Sequence, residues 1–388
     1  MKIVHVVESL AVGGLERVVL NLASWQCRHG HASRVVCLFH DGALADEARA
    51  LGLDVVAIGK DAGFDVRALR RLRMLLRDSG ADVLHTHNPM AHYYAVGAAL
   101  GLGIGRVINT RHGMGPSQHA SRLDRLYRMA MLRTDVAVSV CHEGRSRFVD
   151  RGVIPAAKAR VIPNGIALSG IDRRSSTSRE SLLASLGRPS SSVVLGTVGR
   201  VSPVKDHATL LEAVRLLHLA GRQVQLLVVG DGESRASLEA LARTLTIEEC
   251  VHFLGMRHDV GRLLGAMDIF ALSSISEGYS LALVEAAAAS LPIVATRVGG
   301  NADIVIDGVS GLLVPAKDPR SMADALLRLV DDHPLREKMG SVGREWALQN
   351  GTIDAMGQAY LGVYRCPSPA ATANPGAQDS ATTPGQGA

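Results

Sequence analysis

Residues 267–300, MDIFALSSISEGYSLALVEAAAASLPIVATRVGG, constrain the fold of this chain more than any other stretch. The apolar run 267–272 is short enough to be a buried strand. A Ser- and Gly-rich loop, 273–280, follows, and the Ala-rich segment 281–290 has the composition of a helix. Pro292 ends that helix, and 293–296 reads as the next strand. The unit is therefore strand, loop, helix, strand, with the loop facing a helix N-terminus. Unpaired N–H groups and the helix dipole at such a terminus favour an anion.

Two carboxylates bracket that terminus. Glu277 lies in the loop and Glu285 about one turn into the helix. The backbone N–H groups of Gly278, Tyr279, Ser280 and Leu281 suit a phosphate, and the glutamates are acceptors for sugar hydroxyls. Spacing alone equally allows two solvated glutamates beside an ordinary βα turn. The wording is more specific. This glutamate pair, followed by Val298-Gly299-Gly300 and by DGVSGLLV at 307–314, resembles the retaining glycosyltransferases of family four. The resemblance extends over about residues 1–365. It implies the GT-B fold, an α/β architecture of two Rossmann-like domains facing across a cleft.

Composition fits such a chain. At 388 residues two domains are expected, and 47% apolar content with only 3% aromatics means cores of Leu, Val and Ala, as in parallel sheets covered by helices. The five cysteines, at 27, 37, 141, 250 and 366, include no C-x-x-C pair. They point to a reducing cytoplasm and not to a disulfide framework or zinc site. The N-terminus reads as a strand and not a signal peptide. No apolar run is long enough to span a membrane. Residues 1–165 carry 22 Lys and Arg against 14 Asp and Glu, whereas the remainder carries 20 against 23. A basic first half suggests an anionic partner, with lipid or polyanion preferred over nucleic acid because no nucleic-acid motif is present.

Along the first half, strand 2–7 leads into a turn with Gly13 and Gly14. This lacks the dinucleotide spacing G-x-G-x-x-G and is by itself a tight βα turn. In the resembled family this Gly-Gly-x-Glu loop borders the donor sugar and diphosphate. The helix predicted over 66–78 carries Arg67, Arg70, Arg71, Arg73 and Arg77, a face for solvent or for anionic lipid headgroups. His85 and His87 share one face of a strand at metal-ligand spacing. No third ligand is evident, so a polar wall of the site is the preferred reading. His112 follows strand 106–110, where ligands of open α/β sheets bind. The resemblance puts it beside the donor sugar. After Pro163-Asn164-Gly165 the family pattern has an acid two residues on; here position 167 is Ala167, and no role carries over.

In the second half, strand 193–198 runs into Gly199, Arg200 and Lys205. The two cations are spaced to converge on a diphosphate, and the family uses both in this way. Asp231 and Glu233 follow strand 223–229 and read as a turn near the nucleotide, not as a metal pair. Arg257, just after strand 251–255, runs past the base as in the family.

These readings divide the chain into an acceptor domain (1–167), a connection (168–192), a nucleotide-sugar domain (193–350), a helix crossing back (351–365) and a disordered tail (366–388). The function expected is a retaining transfer of sugar from a nucleoside-diphosphate sugar to a lipid-linked or saccharide acceptor in envelope or exopolysaccharide assembly. Glu277, His112, Arg200 and Lys205 are the expected catalytic residues. Gly13, Gly14, Gly199, Asp231, Arg257, 278–281 and Glu285 are the expected donor-binding residues. Neither metal nor cofactor is expected, and the inner face of the cell membrane is a candidate location. The rivals are a GT-B epimerase or phosphorylase, and a catalytically silent sugar-nucleotide-binding subunit.

Overall fold

The structure is a computed structural model that describes residues 1–11, 13–115, 122–173 and 175–365. The expected tail 366–388 lies outside them. The first half forms β1 (Lys2–Val7), β2 (Ala32–Cys37), β3 (Asp54–Ala57), β4 (Val83–His87), β5 (Arg106–Arg111), β6 (Val136–Ser139) and β7 (Ala159–Val161). They pair in parallel in the order β3-β2-β1-β4-β5-β6-β7. The second half forms β8 (Val193–Val198), β9 (Val224–Val229), β10 (Val251–Gly255), β11 (Ile269–Leu272), β12 (Ile293–Thr296) and β13 (Gly311–Val314). These are again parallel, in the order β10-β9-β8-β11-β12-β13. Each sheet reverses its winding once, between β1 and β4 and between β8 and β11. Such reversals open crevices at the strands' carboxyl ends.

Helices cover both faces because the strands are apolar on both. In the first sheet Val4, Val6, Val36 and Leu84 pack one way, and Ile3, Val83, Ile108 and Val138 pack the other way, with Trp25. The last helix, Ile353–Arg365, lies on that second layer through Met356, Tyr360 and Tyr364. Trp25 Nε1 donates to Asp354 Oδ1 at 2.6 Å, and Arg106 Nη2 donates to the Val363 carbonyl at 3.0 Å. The chain passes between the sheets twice, side by side. Ile166 N–H donates to the Gly351 carbonyl at 2.8 Å and Ile353 N–H to the Ile166 carbonyl at 2.9 Å. The helix Ser176–Ser185 in the connection buries Leu183 in the core beneath the second sheet.

The helix expected over 281–290 spans Leu281–Ala288. It stops early because Ser290 takes a left-handed conformation, φ 64°, which an α-helix does not continue through. A short helix at Asn301–Ile304, not expected from the sequence, follows the Gly299-Gly300 turn.

Candidate functional site

The loops at the carboxyl ends of both sheets enclose one cavity of about 770 Å³. From the first half come Gly13, Gly14, Leu15, His112 and Asn164; from the second come Gly199, Arg200, Lys205, Asp231, Arg257 and the run Glu277–Ala282. The halves approach closely beside it. A Cβ on Gly278 would stand 2.1 Å from the His112 carbonyl oxygen, so only glycine fits there without displacing backbone.

The loop after β11 is stitched to the turn after β8. Ser273 Oγ donates to the Lys205 carbonyl at 3.0 Å, and Ile275 N–H donates to the Val204 carbonyl at 2.9 Å. This brings Lys205 Nζ to 2.5 Å from Glu277 Oε1, which also accepts from Ser274 Oγ at 2.6 Å. The sequence reading gave these two residues separate duties; here they are an ion pair, with side chains 19% and 10% exposed. Arg200 is exposed, and among the described residues its guanidinium has no hydrogen-bonded or ion-paired partner. Burial raises the carboxyl of Glu16, and the charge of Arg200 works against that rise.

The helix Leu281–Ala288 has no side-chain cap. Leu283 and Val284 N–H groups turn back to the Ser280 carbonyl, which leaves the first N–H groups of the helix facing the cavity. Tyr279 is buried, with its hydroxyl unpartnered. Glu285 does not itself line the cavity. Burial pushes its carboxyl up to about 7, opposed by the nearby charge of Arg17.

Two residues expected near the nucleotide point their charge elsewhere. Arg257 is held by both oxygens of Asp259, at 2.8 Å each. Asp231 accepts from the Gly232 N–H at 2.8 Å and pairs with Arg235 at 3.3 Å. Both residues still line the cavity. Asn164, named above only as part of a motif, also lines it, buried and with Oδ1 unpartnered. Its neighbours Pro163 and Gly165 marked a turn, but nothing in the sequence said that turn reached the cleft.

The histidines depart most from expectation. His85 and His87 do not wall the site; they are buried under it, together with His5 from β1. The parallel register sets His5 opposite His85. Only His112 of this group reaches the cavity. Its Nε2 lies 3.0 Å from His87 Nδ1, and its Nδ1 is covered and has no hydrogen-bond partner among the described residues. Burial lowers the His112 imidazole to about 3, so it is neutral near neutral pH.

Two Rossmann-like sheets of seven and six parallel strands, meeting at a cleft that both line, make this a GT-B fold. HepE of Anabaena, solved in complex with UDP, has the same fold: the superposition covers 94% of this chain and 99% of that one, with a TM-score of 0.84 at 22% identity. The family descriptions "Glycosyltransferase Family 4" and "Glycosyl transferases group 1" match residues 12–169 and 178–346, which together are most of the chain. The chain belongs to this glycosyltransferase family and is a glycosyltransferase. Among curated relatives, the Bacillus anthracis N-acetyl-alpha-D-glucosaminyl L-malate synthase is 26% identical over 78% of this chain and 79% of its own length. The Escherichia coli UDP-Gal:alpha-D-GlcNAc-diphosphoundecaprenol alpha-1,3-galactosyltransferase is 27% identical over 86% and 89% respectively.

Proposed function

We propose that this enzyme moves a hexose from a UDP-sugar to a lipid-linked or saccharide acceptor, with retention of anomeric configuration, in envelope or exopolysaccharide assembly. The observation that carries this reading is the pairing, on one cavity, of the Arg200 guanidinium, unpartnered among the described residues, with the free N–H groups at the start of the helix Leu281–Ala288. That combination suits a diphosphate. UDP in the HepE complex and the UDP-sugar and lipid-linked acceptor in the name of the E. coli relative support the choice of donor and acceptor.

In this reading Arg200, Lys205 and the N–H groups of Tyr279, Ser280 and Leu281 stabilise the charge that develops on the departing diphosphate. Gly13, Gly14 and Gly199 let backbone come close to the donor. Glu277, oriented by Lys205 and Ser274, accepts from hydroxyls of the sugar, and Glu285 serves the ribose from behind the helix terminus. Asp231 and Arg257 flank the nucleotide. The C–O bond from the anomeric carbon to the phosphate breaks, and a bond from the acceptor oxygen to that carbon forms on the same face. The acceptor's proton passes to a phosphate oxygen of the leaving group. An inverting route needs a base on the opposite face, and His112, neutral and held from behind, is placed against the sugar instead. Cleft closure keeps water from competing.

No divalent metal is needed in this scheme, since the cations and the helix terminus supply the positive charge; full activity in excess chelator is the expected result. The acceptor fits a membrane surface. Phe64, Met74, Leu100, Met129 and Leu132 are exposed apolar side chains on the first half, and Arg67 and Arg70 are exposed on the same half. The other arginines of that helix are engaged: Arg71 by Gly59, Arg73 by Ala98 and Leu100, and Arg77 by Asp78. No helix among the described residues is long and apolar enough to cross a membrane, so contact would be peripheral, on the cytoplasmic face. Sedimentation with phosphatidylglycerol vesicles but not with phosphatidylcholine vesicles is expected.

The reading is tested in two stages. A thermal-shift panel of nucleotide sugars should single out UDP-sugars, because ligand binding to the native state raises apparent stability. Proton NMR of the fresh product from an α-linked donor should then show an α linkage. Absence of any nucleotide-sugar response would overturn the donor assignment, and a β-linked product the stereochemistry.

A further inference from the structure

Behind His112 the first half holds a continuous chain of hydrogen-bonded imidazoles. Gln26 Oε1 is 2.8 Å from His5 Nε2, His5 Nδ1 is 3.0 Å from His87 Nε2, and His87 Nδ1 is 3.0 Å from His112 Nε2. Gln26, His5 and His87 are buried, on the helix Gly14–Arg28, on β1 and on β4. The direction of the chain follows from its far end. Gln26 Oε1 also accepts from Ser33 Oγ at 2.9 Å, and Gln26 Nε2 donates to Tyr364 Oη at 3.2 Å. A carbonyl oxygen only accepts, so His5 Nε2 carries a proton and donates it.

Burial lowers His5 to about 4 and His87 well below its usual range, so each ring has one proton near neutral pH. His5 Nδ1 is then an acceptor and His87 Nε2–H donates to it. By the same step His87 Nδ1 accepts from His112 Nε2–H. A neutral His112 is left with an unprotonated Nδ1. The opposite direction would strand an N–H at that unpartnered buried atom, the rarer and costlier arrangement. The side branch closes consistently: Tyr364 Oη–H donates to His85 Nδ1 at 2.7 Å, and His85 Nε2–H donates to Thr110 Oγ1 at 2.8 Å.

We propose that this chain locks His112, whose ring lines the cleft, as the Nε2–H tautomer, so that its covered and unpartnered Nδ1 lone pair accepts a hydrogen bond from a sugar hydroxyl once donor binding uncovers it. His87, His5 and Gln26 are positioning residues acting through His112. The lone pair selects a donor hydroxyl and rejects an acceptor-only group at that spot. His5, His85 and His87 also place nitrogens within 4.8 Å of one another, as three ligands of a metal would. Both nitrogens of each ring are already engaged in the hydrogen bonds just described, so the cluster serves as a relay of orientation and not as a metal site. The tautomer rests on the chain alone; its use by a sugar rests on the function proposed above.

The test separates the two. Long-range ¹H–¹⁵N correlation spectra of ¹⁵N-histidine-labelled, ligand-free enzyme read the tautomer without substrate. His112 should show a protonated Nε2 and a bare Nδ1, and the reverse pattern overturns the proposal. One equivalent of tightly held divalent metal in the purified protein also overturns it, since the metal would take the nitrogens the chain needs. In kinetics, His87→Asn keeps an acceptor where Nδ1 stood and should preserve the tautomer. His87→Phe removes it and should lower kcat/KM about tenfold, the effect of one misplaced hydrogen bond. In a His112→Ala background His87→Phe should have no further effect; an equal loss there would mean that His87 acts on the fold and not through His112. If His87→Phe does not fold, the Asn variant and the wild-type spectrum still decide.

Discussion

At the residue scale the Lys205–Glu277 pair changes what the cavity's charges can do. Glu277 is 10% exposed, and Lys205 and Ser274 both donate to one of its oxygens. Removing Lys205 therefore takes away the phosphate contact proposed for it and also leaves a nearly buried carboxylate without its cation. Lys205→Ala is expected to lower kcat/KM by about 1.5–3 kcal/mol, the value of a charge-assisted hydrogen bond, and to lower stability by up to about 3–5 kcal/mol, the range for breaking a buried pair, seen as a lower Tm. Arg200→Ala leaves nothing behind unpaired. It should lower kcat/KM by about 1.5–3 kcal/mol, the value of a charge-assisted hydrogen bond, with Tm unchanged. Steady-state kinetics and melting curves on both variants check this; equal melting of the two would mean that the pair contributes nothing to the fold. Chemistry-bearing residue types in a marked turn, such as Arg200, Lys205 and Glu277, were legible in the sequence. Their partners were not, because a contact such as that between Lys205 and Glu277 depends on how two loops from different strands are stitched together. Asn164 escaped notice for the same reason: a neutral side chain in a common turn carries no signal until the cleft exists.

At the element scale, strands were the most legible feature. Buried parallel strands are near-continuous apolar runs, and β8, β10, β11 and β12 fall where such runs were seen. Helix ends were less legible, since the stop at Ala288 depends on the conformation of Ser290. Register was not legible at all. The spacing of His85 and His87 gave their shared face, but that β1 lies beside β4 and sets His5 opposite His85 is a property of the sheet order. The loop between β11 and its helix also meets the first sheet's loops, at Gly278 and His112. A methyl group on Gly278 would meet the His112 carbonyl at 2.1 Å, so Gly278→Ala has to push the two halves apart at the cleft. Misplacing reacting groups by about 1 Å lowers rates on the order of 10²-fold. That loss is expected in kcat/KM, with urea melts close to wild type because neither core is touched. Wild-type kinetics in this variant would show that the contact opens during turnover.

At the scale of the whole molecule, the buried histidines set how stability depends on pH. Burial, the largest cause in each case, lowers His5 and His207 to about 4 and His92 and His112 to about 3, and it holds His85 and His87 well below their usual range. In the unfolded chain each titrates near 6.5. Below that pH the unfolded state binds protons that the native state refuses, so stability falls with acid, by up to about 1.4 kcal/mol per pH unit for each histidine. Glu285 works the other way, as do Glu8 and Glu16, whose carboxyls burial also raises. The Glu285 carboxyl, raised to about 7 from an ordinary 4.5, makes the native state bind an extra proton between those values, and stability there rises with acid. These three carboxyls offset the six imidazoles only in part, and a stability of about 5–15 kcal/mol leaves little reserve. The fold should vary little with pH between about 7 and 8 and lose stability progressively as pH falls below about 6.5. Urea melts across this range measure it, and their slope with pH counts the protons taken up. A midpoint unchanged down to pH 5 would mean that these imidazoles are protonated in the folded protein, and the neutral hydrogen-bonded chain behind His112 would fail with it.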